Sequence, residues 1–112
     1  YEYELDGVHL NSKQLYELSH FPKDLLVGVS CHSENDLKVA EEKNADFAVL
    51  GSVKKTLTHP DLEPMGWVRF NKLVNNSNLP IYSIGGMTNS DVLSSLEYGG
   101  IGIASQRAIW AK

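Results

Sequence analysis

The sequence predicts an α/β protein in which parallel strands alternate with helices. Five short apolar runs, at residues 7–10, 26–29, 47–50, 81–84 and 100–104, are each followed by residues in helical spacing. Their central residues Val8, Val27, Phe47, Ile81 and Ile101 lie 19, 20, 34 and 20 residues apart. Such intervals fit a strand, a helix and two short turns, repeated. The second run also ends in small, polar and reactive residues, Ser30-Cys31-His32-Ser33. A parallel α/β protein collects its chemistry at that place, the carboxyl end of a strand.

Each helical stretch has its own signature. Leu15 and Leu18 follow the first run, and Leu37, Val39 and Ala40 the second. Ser33 stands three residues before Asp36, in the spacing of a capping box. Trp67, Phe70, Leu73 and Val74 mark an apolar face after the third run. Val92, Leu93 and Leu96 follow the fourth, behind Thr88 and Asp91 in a second capping-box spacing. Ala108, Ile109 and Trp110 close the chain. The long interval holds an extra loop, residues 52–66, with two of the four prolines. A loop of that length inside a small domain tends to carry function. No linker or low-complexity segment divides the chain, so residues 1–112 read as one domain. An open doubly wound sheet and part of a (β/α)₈ barrel both fit this rhythm; a whole barrel needs roughly 200 residues or more.

Composition narrows the classes of function. Fourteen acidic and ten basic residues give a net charge of −4 without a block of like charge, so neither a nucleic-acid nor a membrane surface is expected. No apolar run approaches the roughly 18 residues of a membrane span. Tyr1-Glu2-Tyr3-Glu4 does not begin a signal peptide. The single Cys31 cannot pair internally, which suits a reducing, cytoplasmic setting.

Histidine titrates near neutrality, so His32 is the candidate acid or base. Cys31 points to the opposite side of an extended segment from His32 and is expected to be a small buried residue. His9 and His20 have no ligand-like partner nearby in sequence. No set of His, Cys, Asp and Glu has metal-ligand spacing. The loop after Leu50 alternates hydroxyls, cations and an imidazole, including Thr56, Thr58 and His59. Gly85 and Gly86 follow the fourth run, while Gly99, Gly100 and Gly102 surround the fifth, ahead of Gln106 and Arg107. Glycines at strand ends let backbone N–H groups approach a phosphate, or serve tight turns alone.

Six ordered motifs resemble the thiamine phosphate synthase superfamily, whose other branch is the thiazole tautomerase. They are Asp6-Gly7-Val8-His9-Leu10, Gly28-Val29-Ser30-Cys31-His32-Ser33, Ala45-Asp46-Phe47-Ala48-Val49-Leu50-Gly51, Thr56-Leu57-Thr58-His59-Pro60, Ile84-Gly85-Gly86-Met87-Thr88 and Gly99-Gly100-Ile101-Gly102-Ile103. The resemblance runs from Glu4 to Trp110. It implies a TIM (β/α)₈ barrel of which this chain holds the C-terminal five βα units, an incomplete barrel. Two open sheet edges then imply a homo-oligomer by self-association, or only marginal stability. Thr58-His59-Pro60, Met65-Gly66-Trp67 and Gln106-Arg107 are most similar to a domain fused behind Nudix hydrolases, which implies a Nudix domain in the parent protein.

The resemblance also implies a ligand, a phosphorylated thiazole or related heterocycle. Its subsite maps to Ser30, Thr56, Thr58, His59, Gly85, Gly86, Gln106 and Arg107. The synthase holds magnesium with aspartates and has a lysine after its Thr-x-Thr/Ser. Here Gln14 replaces one aspartate and His59 the lysine. The expectation is therefore no metal, no other cofactor and no synthase activity. A tautomerase-like proton transfer by His32 fits the motif Ser30-Cys31-His32-Ser33. The alternative is a non-catalytic ligand-sensing or scaffold domain of a Nudix fusion.

Overall fold

Alternation along the apolar runs builds one buried sheet face. The computed structural model describes residues 2–3, 7–21, 24–54, 63–85 and 87–104. In chain order these form β1 (Glu2–Tyr3), β2 (Gly7–Leu10), α1 (Ser12–Glu17), β3 (Leu26–Cys31), α2 (Glu34–Glu42), β4 (Phe47–Leu50), α3 (Gly66–Asn75), β5 (Ile81–Ser83), a short 3₁₀ turn (Asn89–Asp91) and α4 (Val92–Glu97). β2 to β5 are parallel and adjacent in the order of the chain.

Register decides which residues share a face, because directly paired residues of neighbouring strands point the same way. Val8 pairs with Val27, Leu10 with Val29, Val29 with Ala48, Cys31 with Leu50, and Ala48 with Ile81. All are buried, together with Leu15 of α1, Leu37 and Ala40 of α2, and Phe70 and Leu73 of α3. Phe70 is fully covered; truncating so large a core ring costs about 3–5 kcal/mol. Trp67 meets Phe70 edge to face at 5.4 Å and stacks on Tyr98 at 5.5 Å, which holds α3 against the end of α4.

The opposite face carries His9, Gly28 and Phe47 in one row and Ser30, Val49 and Tyr82 in the next. Phe47 lies over Gly28, where a Cβ would sit 2.2 Å from its ring, and meets Tyr82 edge to face at 5.7 Å.

Three expectations are corrected. The sheet is not wholly parallel, since β1 pairs antiparallel with β2, Glu2 opposite His9 and Tyr3 opposite Val8. This two-residue strand covers an edge that would otherwise be open to another chain. The fifth run makes only a single parallel bridge, Ser83 with Ile103. Ile101 N donates to Ile81 O and Ala104 N to Ser83 O, so the register slips by one residue around Gly102, whose φ is +154°. In α4 the residue turned to the core is Ser95, while Leu93 and Leu96 are 75% and 51% exposed. The covered site under α4 is polar, because the Gly102 carbonyl and the Ser83 hydroxyl need partners there. The expected closing helix at Ala108, Ile109 and Trp110 lies outside the described residues.

The order β2-β3-β4-β5 has no reversal, so the switch point of a doubly wound sheet is absent among the described strands.

Candidate functional site

The junction of β3 and α2 is built by local capping and then locked by a distant tyrosine. Ser33 caps α2, its hydroxyl accepting from Asp36 N at 3.2 Å. The Asp36 carboxylate does not complete the expected box at Ser33. Its Oδ2 instead accepts from the His32 backbone N–H at 2.8 Å, and its Oδ1 accepts from Tyr16 Oη at 2.5 Å. Asn35 donates its amide to the same phenol at 2.9 Å. Asp36 is buried and satisfied on both oxygens, and its carboxylate holds the Tyr16 phenol above its ordinary value.

His32 therefore sits on a fixed backbone, and its ring is fixed as well. Nδ1 lies 3.0 Å from the carbonyl oxygen of Gly51, at the end of β4. A carbonyl only accepts, so Nδ1 carries the hydrogen and donates. In the neutral ring Nε2 then holds the lone pair, the arrangement of a histidine prepared to take a proton. The residue is exposed at the carboxyl edge of the sheet.

Cys31 points away into the core, fully buried. Burial, with Asp36 nearby, pushes its thiol up to about 12, so it supplies no thiolate near neutral pH. Ser30 lies on the other face with His9, whose Nε2 is 2.7 Å from its hydroxyl. His9 thus has a partner the sequence did not reveal, one strand away in register. Burial lowers its imidazole to about 4.

The loops after β4 and β5 are joined beside this edge. Val53 N donates to Ile84 O at 2.8 Å and Lys54 N to Gly85 O at 3.1 Å. Gly85, at φ +103°, packs on Ser52, and an added Cβ would lie 2.5 Å from the serine side chain. Lys54 Nζ meets Asp91 Oδ1 at 2.6 Å. Thr88 and Asp91 form the expected capping box, and Thr88 N already donates to Asp91 Oδ2. That N–H and that cation are thus engaged within the protein.

Of the sequence-predicted site residues, His32, Ser30 and Gly85 are placed on the carboxyl half of adjoining parallel strands or just beyond them. Thr56, Thr58, His59, Gly86, Gln106 and Arg107 lie outside the described residues. Tyr16, Asp36 as a clamp, and Lys54 with Asp91 were missed. Tyr16 and Asp36 are 20 residues apart and Lys54 and Asp91 are 37 apart, so no local spacing pairs them.

Among the described residues no three of His, Cys, Asp and Glu are gathered for a metal. Gln14 accepts from Asn11 N at 3.0 Å and donates its own N–H to Asn11 Oδ1, capping α1.

The fold agrees with comparisons to known proteins. Residues 1–109 match the family model described as thiamine monophosphate synthase. The thiamine-phosphate synthase of Methanococcus vannielii is 33% identical over 106 residues, covering 93% of this chain and 52% of that protein. That of Bacillus velezensis is 32% identical over 110 residues, covering 95% and 49%. The solved thiamine phosphate pyrophosphorylase from Pyrococcus furiosus superposes with a TM-score of 0.69 at 28% identity, over 89% of this chain and 48% of that one. The chain spans about half the length of the curated relatives it matches. A family model that matches residues 1–109 of the chain, on a sheet of the same α/β kind, places this chain in the thiamine monophosphate synthase family.

Proposed function

We propose that the chain is a ligand-binding unit of the thiamine-phosphate-synthase type, holding a phosphorylated thiazole or related heterocycle at the carboxyl edge of its parallel strands. His32 Nε2 is its proton-transfer group. The observation that carries this reading is His32 itself, an exposed residue with its backbone held by Asp36 and its ring held through Nδ1 by the Gly51 carbonyl. A base locked in one tautomer needs no reorganisation before it acts. Ser30, Thr56, Thr58, His59, Gly85, Gly86, Gln106 and Arg107 form the ligand subsite in this reading, Arg107 giving a charge-assisted bond to the phosphate.

The four parallel strands are one wall of a (β/α)₈ barrel in the same reading, supported by their sequential order. The relatives matched are named as synthases. A domain without synthase activity therefore draws no support from them, and neither does the sensing or scaffold alternative. The Nudix-fused parent stays a proposal that rests on the motifs alone, and the cytoplasmic setting one that rests on the single cysteine; among the described residues no helix is long and apolar enough to cross a membrane.

The test has two readouts. Calorimetric titration with a thiazole phosphate should saturate. Arg107→Ala should weaken it by about 1.5–3 kcal/mol, the range for a hydrogen bond to a charged group, and Arg69→Ala, on α3, should not. Exchange of protons on a thiazole carboxylate phosphate, followed by NMR in deuterated buffer, should be accelerated by the wild type and lost in His32→Gln with binding kept. Magnesium-dependent joining of the thiazole phosphate to a pyrimidine pyrophosphate would place the chain on the synthase branch instead. Absence of saturable binding overturns the reading.

A further inference from the structure

Two arrangements compete for the Asp36 carboxylate. An acidic residue at the third position of a helix closes a capping box by accepting from the N–H of the cap residue, here Ser33. Ser33 supplies its half, its hydroxyl accepting from Asp36 N at 3.2 Å. The carboxylate does not supply the other half. Its Oδ2 accepts from the backbone N–H of His32, one residue earlier, at 2.8 Å. A local rule is broken beside the candidate base, so a contact from outside α2 must favour the break.

Tyr16, from the preceding βα unit, makes that contact. Its phenol donates to Asp36 Oδ1 at 2.5 Å, and the Asn35 amide donates to the phenol oxygen at 2.9 Å. The bond to the carboxylate holds the phenol above its ordinary value, so it remains a donor through the neutral range. Oδ1 and Oδ2 belong to one planar group. Fixing Oδ1 from the α1 side fixes that plane, and with it the donor that Oδ2 reaches. Asp36 is 7% exposed, so its oxygens take their partners from the protein. Docking of α1 does not need the Tyr16 contact. Leu15 is fully buried and anchors the helix in the core. Lys43 Nζ, at the end of α2, donates to the carbonyls of Leu15 and Leu18, each at 2.6 Å. Tyr16 itself is 47% exposed and adds little to that packing.

We infer that Tyr16 is a positioning residue for His32: it draws the Asp36 carboxylate off the Ser33 cap and onto the His32 backbone, and so aims the imidazole that Gly51 holds. The effect on catalysis rests on the reading of His32 as the proton-transfer group; the positioning does not.

The test is Tyr16→Phe in the full chain, which removes the donor and keeps the ring. Circular dichroism should show the fold retained, since Tyr16 is half-exposed. NMR without ligand should show the His32 amide proton moving upfield as its bond to Asp36 is lost. The Ser33 amide proton should move downfield as the box closes, and the ¹⁵N shifts of the His32 ring should move toward a mixture of tautomers. Proton exchange on a thiazole carboxylate phosphate should slow at least roughly 10-fold, since misplacing a reacting group by about 1 Å costs on the order of 100-fold. The dissociation constant of that compound, by calorimetry, should be unchanged. Lys43→Met loosens α1 on α2 without touching Asp36. It should lower the melting temperature and leave the His32 and Ser33 signals and the exchange rate as in the wild type. His32 signals unmoved by Tyr16→Phe overturn the inference. So do signals that move equally in Lys43→Met, which would make Tyr16 a strut for α1 alone. A wild type that catalyses no exchange overturns the functional reading of His32, and the NMR signals then decide the positioning by themselves.

Discussion

Lys54 Nζ lies 2.6 Å from Asp91 Oδ1 and ties the loop after β4 to the turn after β5. The lysine is 47% exposed and the aspartate 6%, so a hydrated cation neutralises a covered carboxylate. Lys54 first, and then the Thr88 N–H, hold Asp91 below its ordinary value of 3.8. A carboxyl lowered on folding stabilises fully above its unfolded value and loses that stability as pH falls through the folded one. The urea midpoint should therefore drop below about pH 4. Asp91→Asn should flatten that drop, and Lys54→Met should lower the midpoint already at pH 7.

His9 gives a second acid sensitivity in a different window. Burial lowers its imidazole from 6.5 to about 4, so the unfolded chain binds the proton more readily between those values. Stability is complete above pH 6.5 and falls as pH drops toward 4. The ring is partly exposed and solvent screens it, which leaves on the order of 1–2 kcal/mol. Denaturation at pH 7 and pH 4.5 should show the loss in the wild type and much less of it in His9→Gln. NMR titration of the His9 ring should give the lowered midpoint directly.

Gly51→Ala should destabilise the chain and disturb His32 together. A Cβ at Gly51 would lie 2.2 Å from the backbone oxygen of Ile84, which cannot swing aside as a side chain does. Forcing β4 and β5 apart there costs about 1–3 kcal/mol, read as a lower melting temperature. The Gly51 carbonyl that fixes the His32 tautomer moves too, so ¹⁵N shifts of the His32 ring should move toward a mixture of tautomers.

Ser95→Ala tests the polar contact beneath α4. The Ser95 hydroxyl is fully buried, donates to Gly102 O at 2.6 Å and accepts from Ser83 Oγ at 3.0 Å. Its loss removes one partner from each, but Ser83 N and Ser83 Oγ still donate to Gly102 O, so the cost should be about 0.5–1.5 kcal/mol in chemical denaturation.

Much of the fold was legible in the residues. Val8, Val27, Ala48 and Ile81 sit in runs whose alternation and spacing specify parallel strands, and Leu15, Leu37, Phe70 and Leu73 mark the helix faces that cover them. Ser33 and Thr88 announce the starts of α2 and of the turn before α4. Cys31 reads as buried because it points to the opposite side of the extended segment from His32. These features depend on neighbours within a few residues, where backbone sterics and apolar periodicity act directly.

The contacts that give the edge its chemistry depend on register instead. His9 meets Ser30 because β2 lies beside β3. His32 reaches Gly51 because β3 lies beside β4. Lys54 meets Asp91 because successive loops leave the sheet side by side. No local pattern encodes such pairs, since partners 19 to 37 residues apart are brought together only when the strands choose neighbours. The sequence alone determined the parallel βα rhythm and the candidate histidine. The tertiary structure alone decided which nitrogen of that histidine is held, that β1 turns back along the β2 edge, and that Tyr16 reaches Asp36, because packing whole strands and helices against one another settles each of these.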